Sequence, residues 1–290
     1  MKTCTRMLCT LVAAASLPMH ATPVEWSQPR QPFRIHGNTW YVGTRGLSAV
    51  LITSPQGHVL IDGTLEGNAG QIEANIRQLG FRLEDVRVIL NSHAHGDHAG
   101  AIAKLAQDSG ATVHASAAGA VALRSGGDDP DDPQHGEGLG FPPVAHVAVI
   151  GDGQTLRVGP LALVAHYTPG HTPGSTSWTW QSCEQGHCLD IAYPDSLTAI
   201  SSDGFRFSDD AAHPHRVEDF RQSFATVAGL PCDILITPHP EASGFMERVA
   251  RRDHTGDAAA LQQPGACRDY AEAARKLFDK RLEQERRERP

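Results

Sequence analysis

No Pro/Ser-rich linker and no low-complexity tract interrupts this chain of 290 residues, so nothing in its composition cuts it into separate domains. The N-terminal apolar run, Leu8 to Leu17, is too short to span a bilayer, which excludes a membrane anchor there. A basic stripe is absent and the formal charge is −8, which argues against nucleic acid as a partner. No HExxH helix motif occurs, so a zinc protease of that type is excluded. No close pair of cysteines recurs, leaving a cysteine-built zinc site without support. Aromatics are sparse, at 6%, yet the apolar content of 40% is ordinary and the length allows a substantial core.

What is present begins with an export pattern. Lys2 and Arg6 supply a positive end, Leu8 to Leu17 the apolar segment, and Met19-His20-Ala21 a cleavage site. The expected organisation is therefore a signal peptide over 1–21 and one domain over 22–290, periplasmic or secreted and without membrane association once the signal is removed. Loss of Lys2 and Arg6, with no acid lost, moves the formal charge from −8 to −10. The same removal takes Cys4 and Cys9 and leaves Cys183, Cys188, Cys232 and Cys267. An even number in an exported chain favours disulfides, with three pairings open. Preferred are Cys183–Cys188, closing a hairpin tip around Gly186, and Cys232–Cys267, tying the C-terminal helix to a strand.

Hydrophobic spacing predicts strands over Trp40–Gly43, Ala49–Thr53 and His58–Ile61, with a Pro55-Gln56-Gly57 turn between the last two. Helical spacing follows over 67–80, with Ile72, Ile76 and Leu79 on one face and Gly80 as the stop. A buried strand, 86–90, precedes a helix over Ala99–Gln107 that turns Ile102 and Leu105 to the sheet. Thr112–His114 reads as a short strand, and Ser116 caps a helix toward Arg124. Glycines, prolines and acids then make 125–143 a long loop, a feature often tied to function. In the second half, strands are expected over Leu161–Ala165, Ser177–Trp180, Leu189–Tyr193 and Asp233–Ile236, with helices over Val217–Ala228 and from Asp269 to about Leu282. That last helix is expected to carry Tyr270, Ala274, Leu277 and Arg281 on one stripe and to fray at its charged end.

Three of these strands end in histidine-bearing loops: His93-Ala94-His95-Gly96-Asp97-His98, then His171 between prolines, then His239 between Pro238 and Pro240. Gly96 is placed where the backbone of the first loop is expected to turn sharply. In α/β folds, strand ends of this kind gather on one rim. Five imidazoles and one carboxylate suit a borderline cation such as zinc and suffice for two three-ligand sites. Three protein ligands plus water is the open pattern of a catalytic zinc, whereas structural sites are closed by four. His213 and His215 form another His-x-His without a companion ligand nearby and stand outside the set.

The motifs HAHGDHAG (93–100), PGHTPGS (169–175) and TPHP (237–240), in this order, resemble the metal signature of the metallo-β-lactamase superfamily. GSTSWTW (174–180), AYPDSLTA (192–199), EDFRQSFATV (218–227) and LPCDILITPHP (230–240) resemble its third subclass of zinc β-lactamases most closely. The resemblance implies a four-layer αββα sandwich and a zinc-dependent β-lactamase conferring antibiotic resistance, a monomer that acts on a small-molecule β-lactam. It implies two zinc ions per chain, the first on His93, His95 and His171, the second on Asp97, His98 and His239. Asp97 would hold the attacking hydroxide, and no protein nucleophile would be needed. Ser196, standing where another subclass uses a cysteine ligand, and Thr198 would hydrogen-bond the substrate carboxylate. Asp62 would orient a ligand histidine from behind. His135, Leu139 and Phe141 lie where family members touch β-lactam side groups, although ordinary loop roles suit each of them at least as well. Arg45 stands where some relatives carry a cysteine, so one further disulfide of those relatives is missing.

Two other functions compete. A thioesterase or lactonase of the same superfamily, glyoxalase II-like, shares the first histidine loop and commonly uses a bridging aspartate, and Asp195 lies next to the relevant position. A non-catalytic periplasmic zinc-binding protein would use the same histidines for storage or delivery.

Overall fold

Residues 22–137 and 140–288 are described by a computed structural model, so the expected signal segment 1–21 lies outside the described residues, as does Leu139. The apolar runs of the N-terminal half become seven strands of one sheet: β1 (Phe33–His36), β2 (Thr39–Tyr41), β3 (Val50–Ile52), β4 (His58–Ile61), β5 (Val86–Leu90), β6 (Thr112–Ala115) and β7 (Val147–Val149). Neighbours are antiparallel from β1 to β4 and parallel from β4 to β7. The helices α1 (Ala69–Gln78), α2 (Gly96–Ala99), α3 (Ile102–Ser109) and α4 (Ala117–Ser125) lie in the connections between the parallel strands. A second sheet has the order β12-β11-β10-β9-β8, from β8 (Thr155–Val158), β9 (Leu161–Tyr167), β10 (Thr176–Glu184), β11 (His187–Tyr193) and β12 (Ile234–Leu235). The remaining helices are α5 (Arg216–Ala228), α6 (Phe245–Thr255) and α7 (Ala266–Arg287).

Alternation along the strands builds the layers. Ile52, Ile61 and Leu90 face the second sheet and meet Leu163, Trp178 and Ile191 in a core where each is at most 1% exposed. Their neighbours Leu51, Leu60 and Ile89 point the other way and bury Ile72, Ile76, Ile102 and Leu105 of α1 and α3. On the far face of the second sheet, Ala192 and Leu235 pack with Phe220, Phe224 and Phe278 of α5 and α7. The result is the expected four-layer αββα sandwich. Each fully buried Leu, Ile or Phe contributes roughly 1.5–3 kcal/mol, so this double core carries the fold.

Both preferred disulfides form, Cys183–Cys188 across the tip of the β10–β11 hairpin and Cys232–Cys267 between the chain entering β12 and the first turn of α7. Ser116 accepts from Gly119 N as the cap of α4. Strands β1, β7 and β8 and helix α6 were not expected, although Leu156 and Val158 of β8 alternate inward and Phe245 and Val249 of α6 are buried one turn apart. Gly96 does not make a sharp turn: it opens α2 without a positive φ. The close approach falls at Gly100, where a Cβ would lie 2.4 Å from both Glu66 N and Gly96 O. On α7 the stripe holds at Tyr270 and Ala274 and shifts by one residue beyond them, to Phe278 and Leu282. Leu277 is 63% exposed, while Phe278 enters the aromatic cluster. Nor does the charged end fray at Leu282, because Glu285 is buried and accepts from Phe207 N, Ser208 N and Arg281 Nε.

Candidate metal centre

The expected histidines meet at one rim. His93, His95, Asp97 and His98 follow the C-terminal end of β5, His171 follows β9, and His239 follows β12. One ring nitrogen each of His93, His95 and His171 lies within 4.8 Å of the others. Next to them, Asp97 Oδ2 stands 3.2 Å from His98 Nε2 and 3.3 Å from His239 Nε2, and the two nitrogens are 3.1 Å apart. Four ligands at tetrahedral bond lengths of about 2.0 Å lie roughly 3.3 Å from each other, so this triangle has the dimensions of a zinc site.

Hydrogen bonding on the far side of each imidazole decides which nitrogen faces inward. A carboxylate or carbonyl only accepts, so the ring nitrogen opposite it must carry the proton. His93 Nδ1 donates to Asp195 Oδ1 at 2.7 Å, His95 Nε2 to Asp132 Oδ2 at 2.8 Å, and His171 Nδ1 to the Thr198 carbonyl at 2.9 Å. Each ring is thereby left with an inward lone pair. For His93 that atom, Nε2, is buried and has no hydrogen-bond partner among the described residues. Such an orphan fits a cation, because an empty apolar site would not keep a buried imidazole lone pair unpaired. Burial, then the neighbouring histidine charges, holds His93 well below the usual imidazole range and His171 down at about 3. Neutral rings are the form in which histidine ligates. Asp97 keeps its charge: burial raises its carboxyl, but His98 and His239 pull it well below the usual range.

Asp62 is buried beneath this rim in a left-handed backbone conformation, φ +61°. Its carboxylate accepts from Ser92 N at 2.8 Å, Ser92 Oγ at 2.7 Å, Asn91 Nδ2 at 3.1 Å and Tyr193 Oη at 2.9 Å, and burial pushes it up to about 6. It thus grips the residues leading into His93, rather than a histidine ring. The carboxylates that hold rings directly are Asp195 and Asp132. Asp195 is fully buried behind His93 and belongs to neither ligand group.

A cavity of about 630 Å³ opens over the ligands, with Ser196 and Thr198 in its wall. Thr198 Oγ1 also lies 3.1 Å from His171 Nδ1. Other wall residues, among them Trp26, Glu137 and Tyr270, were not singled out from the sequence as site residues. Trp26 sets its ring 5.2 Å from that of His239. Of the loop candidates, His135 pairs with Asp128 at 2.9 Å and lines a neighbouring hollow, while Phe141 is buried in the outer core. His213 stacks on Phe205 at 4.0 Å and His215 precedes α5, both outside the centre.

A family profile described as the metallo-beta-lactamase superfamily matches residues 42–239. The chain belongs to that superfamily. Among solved structures it is similar to the Rm3 metallo-beta-lactamase, at 52% identity and TM-score 0.88 over 90% of this chain and 97% of that one. It is also similar to MEM-A1, a subclass B3 metallo-beta-lactamase from a soil metagenome library, at 50% identity and TM-score 0.88 over 91% and 100% of the two chains. A third, SMB-1 in a complex with mercaptoacetic acid, shares 50% identity with TM-score 0.85 over 90% and 99%. The subclass B3 resemblance thus extends over most of the chain, and the histidine and aspartate clusters mark a zinc-type centre.

Proposed function

We propose that this chain is a di-zinc β-lactamase that opens the amide bond of penicillins, cephalosporins and carbapenems. The carrying observation is that two three-residue donor sets, His93, His95, His171 and Asp97, His98, His239, meet at one rim, and that His95, Asp97, His171 and His239 line one cavity whose wall also holds Ser196 and Thr198. Zinc bound there supplies Lewis acidity, polarising a carbonyl and lowering the pKa of water toward neutrality. Asp97 turns Oδ2 to His98 and His239, leaving its other oxygen to orient the attacking water. The hydroxyls of Ser196 and Thr198 receive the substrate carboxylate. No Lys or Arg lines the cavity among the described residues, so neutral donors must do so. Asp195 and Asp132 hold His93 and His95 in the tautomers that ligation needs.

Asp195 behind His93 counts against the thioesterase or lactonase alternative, which wants a bridging carboxylate between the sites. Open three-residue sets count against a storage protein. Two disulfides suit an oxidising compartment and so support a secreted or periplasmic location. No helix among the described residues is long and apolar enough to cross a membrane. The test is hydrolysis of a chromogenic cephalosporin against an S-acyl glutathione, before and after chelation. Chelator-sensitive, zinc-restored turnover of the lactam is expected; preference for the thioester would refute the reading.

A further inference from the structure

Residues 194–202 carry Ser196 and Thr198 yet form neither helix nor strand, so something else must hold them in place. The ends of the segment are secured. Asp195 N donates to Ser177 Oγ at 2.9 Å, and Ser202 N donates to the Pro133 carbonyl at 2.8 Å. Between them a single side chain from α7 meets the backbone on both sides of Ser196. Tyr270 Oη donates to the Asp195 carbonyl and accepts from Leu197 N, each at 3.3 Å.

The helix under that hydroxyl is itself immobilised. Cys267, one turn earlier, is bonded to Cys232, and Phe278 packs against Phe220, Phe224 and Phe207 at centroid separations of 4.5, 5.8 and 5.9 Å. Further along the same helix, Arg281 donates to Ser201 Oγ and to the Phe205 carbonyl, both at 3.0 Å. The irregular segment is therefore laid along a rigid rod, and Tyr270 is the contact nearest the cavity, whose wall it joins.

The geometry points to Tyr270 as a positioning residue: its hydroxyl bridges Leu197 N and Asp195 O and so fixes the backbone that presents Ser196 to the substrate carboxylate. This rests on the β-lactamase reading, because it is the carboxylate of a bicyclic lactam that Ser196 receives. The hydroxyl acts on the backbone and not on the reacting atoms. Losing it costs substrate capture, while the hydrogen bonds of His93 to Asp195 Oδ1 and of His171 to Thr198 O are not among those that Tyr270→Phe removes. The shape-conserving variant Tyr270→Phe isolates the effect.

Two neutral hydrogen bonds of this length correspond to a change of about tenfold. For zinc-loaded Y270F the expected result is a KM for carboxylate-bearing β-lactams raised about tenfold with kcat within about twofold, unchanged zinc content, and faster amide exchange confined to 194–200. Unchanged exchange in that segment would overturn the proposal, as would faster exchange with an unchanged KM, or a loss carried by kcat alone. Should the wild-type protein hydrolyse no β-lactam, the functional reading fails by itself, and the exchange experiment still decides whether Tyr270 tethers the segment.

Discussion

Replacing Asp132 by alanine removes the only carboxylate, among the described residues, that the His95 ring touches outside the ligand cluster. Its Oδ2 accepts from His95 Nε2 at 2.8 Å and its Oδ1 from Gln134 N at 2.7 Å, in a side chain only 8% exposed. A hydrogen bond to an ionised, largely dehydrated carboxylate contributes about 1.5–3 kcal/mol. Carried into metal affinity, that is a loss of roughly tenfold to a hundredfold at the site built on His93, His95 and His171. The set of Asp97, His98 and His239 has no contact with Asp132 and should keep its affinity. Asp132→Asn keeps one acceptor oxygen, which can still take the His95 proton while the Gln134 N bond is given up, and should lose appreciably less than alanine at that site. Competitive zinc titration against a chromogenic chelator resolves the two equivalents. Wild-type affinity for both in Asp132→Ala, or equal weakening of both, would refute the idea that Asp132 acts through His95.

His239→Ala removes one corner of a triangle whose sides are 3.1 to 3.3 Å, so metal analysis should find about one zinc equivalent lost, with most turnover. Cys232→Ser with Cys267→Ser opens a loop of 35 residues and should lower stability by about 3–4 kcal/mol in denaturant titration, with the Cys183–Cys188 bond intact. For Glu285, burial raises the carboxyl, but hydrogen bonds from Ser208, Arg281 and Phe207 outweigh it and hold the group below its usual range. Its stability contribution is therefore full above the ordinary glutamate value and is lost as pH falls through the lower folded value. Glu285→Gln should flatten that acid limb in melts recorded across pH 3 to 6, and an unaltered slope would contradict the assignment.

The ligands were legible because the chemistry is local. Four of the six fall within six residues after an apolar strand, and His171 and His239 each follow another such strand. Asp132 was not, since it sits in a run of acids, GGDDPDDP, in which no periodicity singles out one carboxylate. Tyr270 and Trp26 reach the cavity from opposite ends of the chain, through contacts that only the folded layers create. Leu277 and Phe278 illustrate the limit of helical spacing. Both fit an apolar stripe to within one position, and the aromatic cluster of Phe207, Phe220 and Phe224 chooses Phe278. Gly96 failed for a related reason. The tight approach is between the end of α2 and the 65–66 backbone, a non-local contact that leaves Gly100 without room for a side chain.

Anomalous diffraction at the zinc edge, from crystals of the zinc-loaded protein, tests the central claim most directly. The account predicts two peaks, one enclosed by His93, His95 and His171 and the other by Asp97, His98 and His239. A single peak, or a metal bound with His171 or His239 turned away from it, would contradict it.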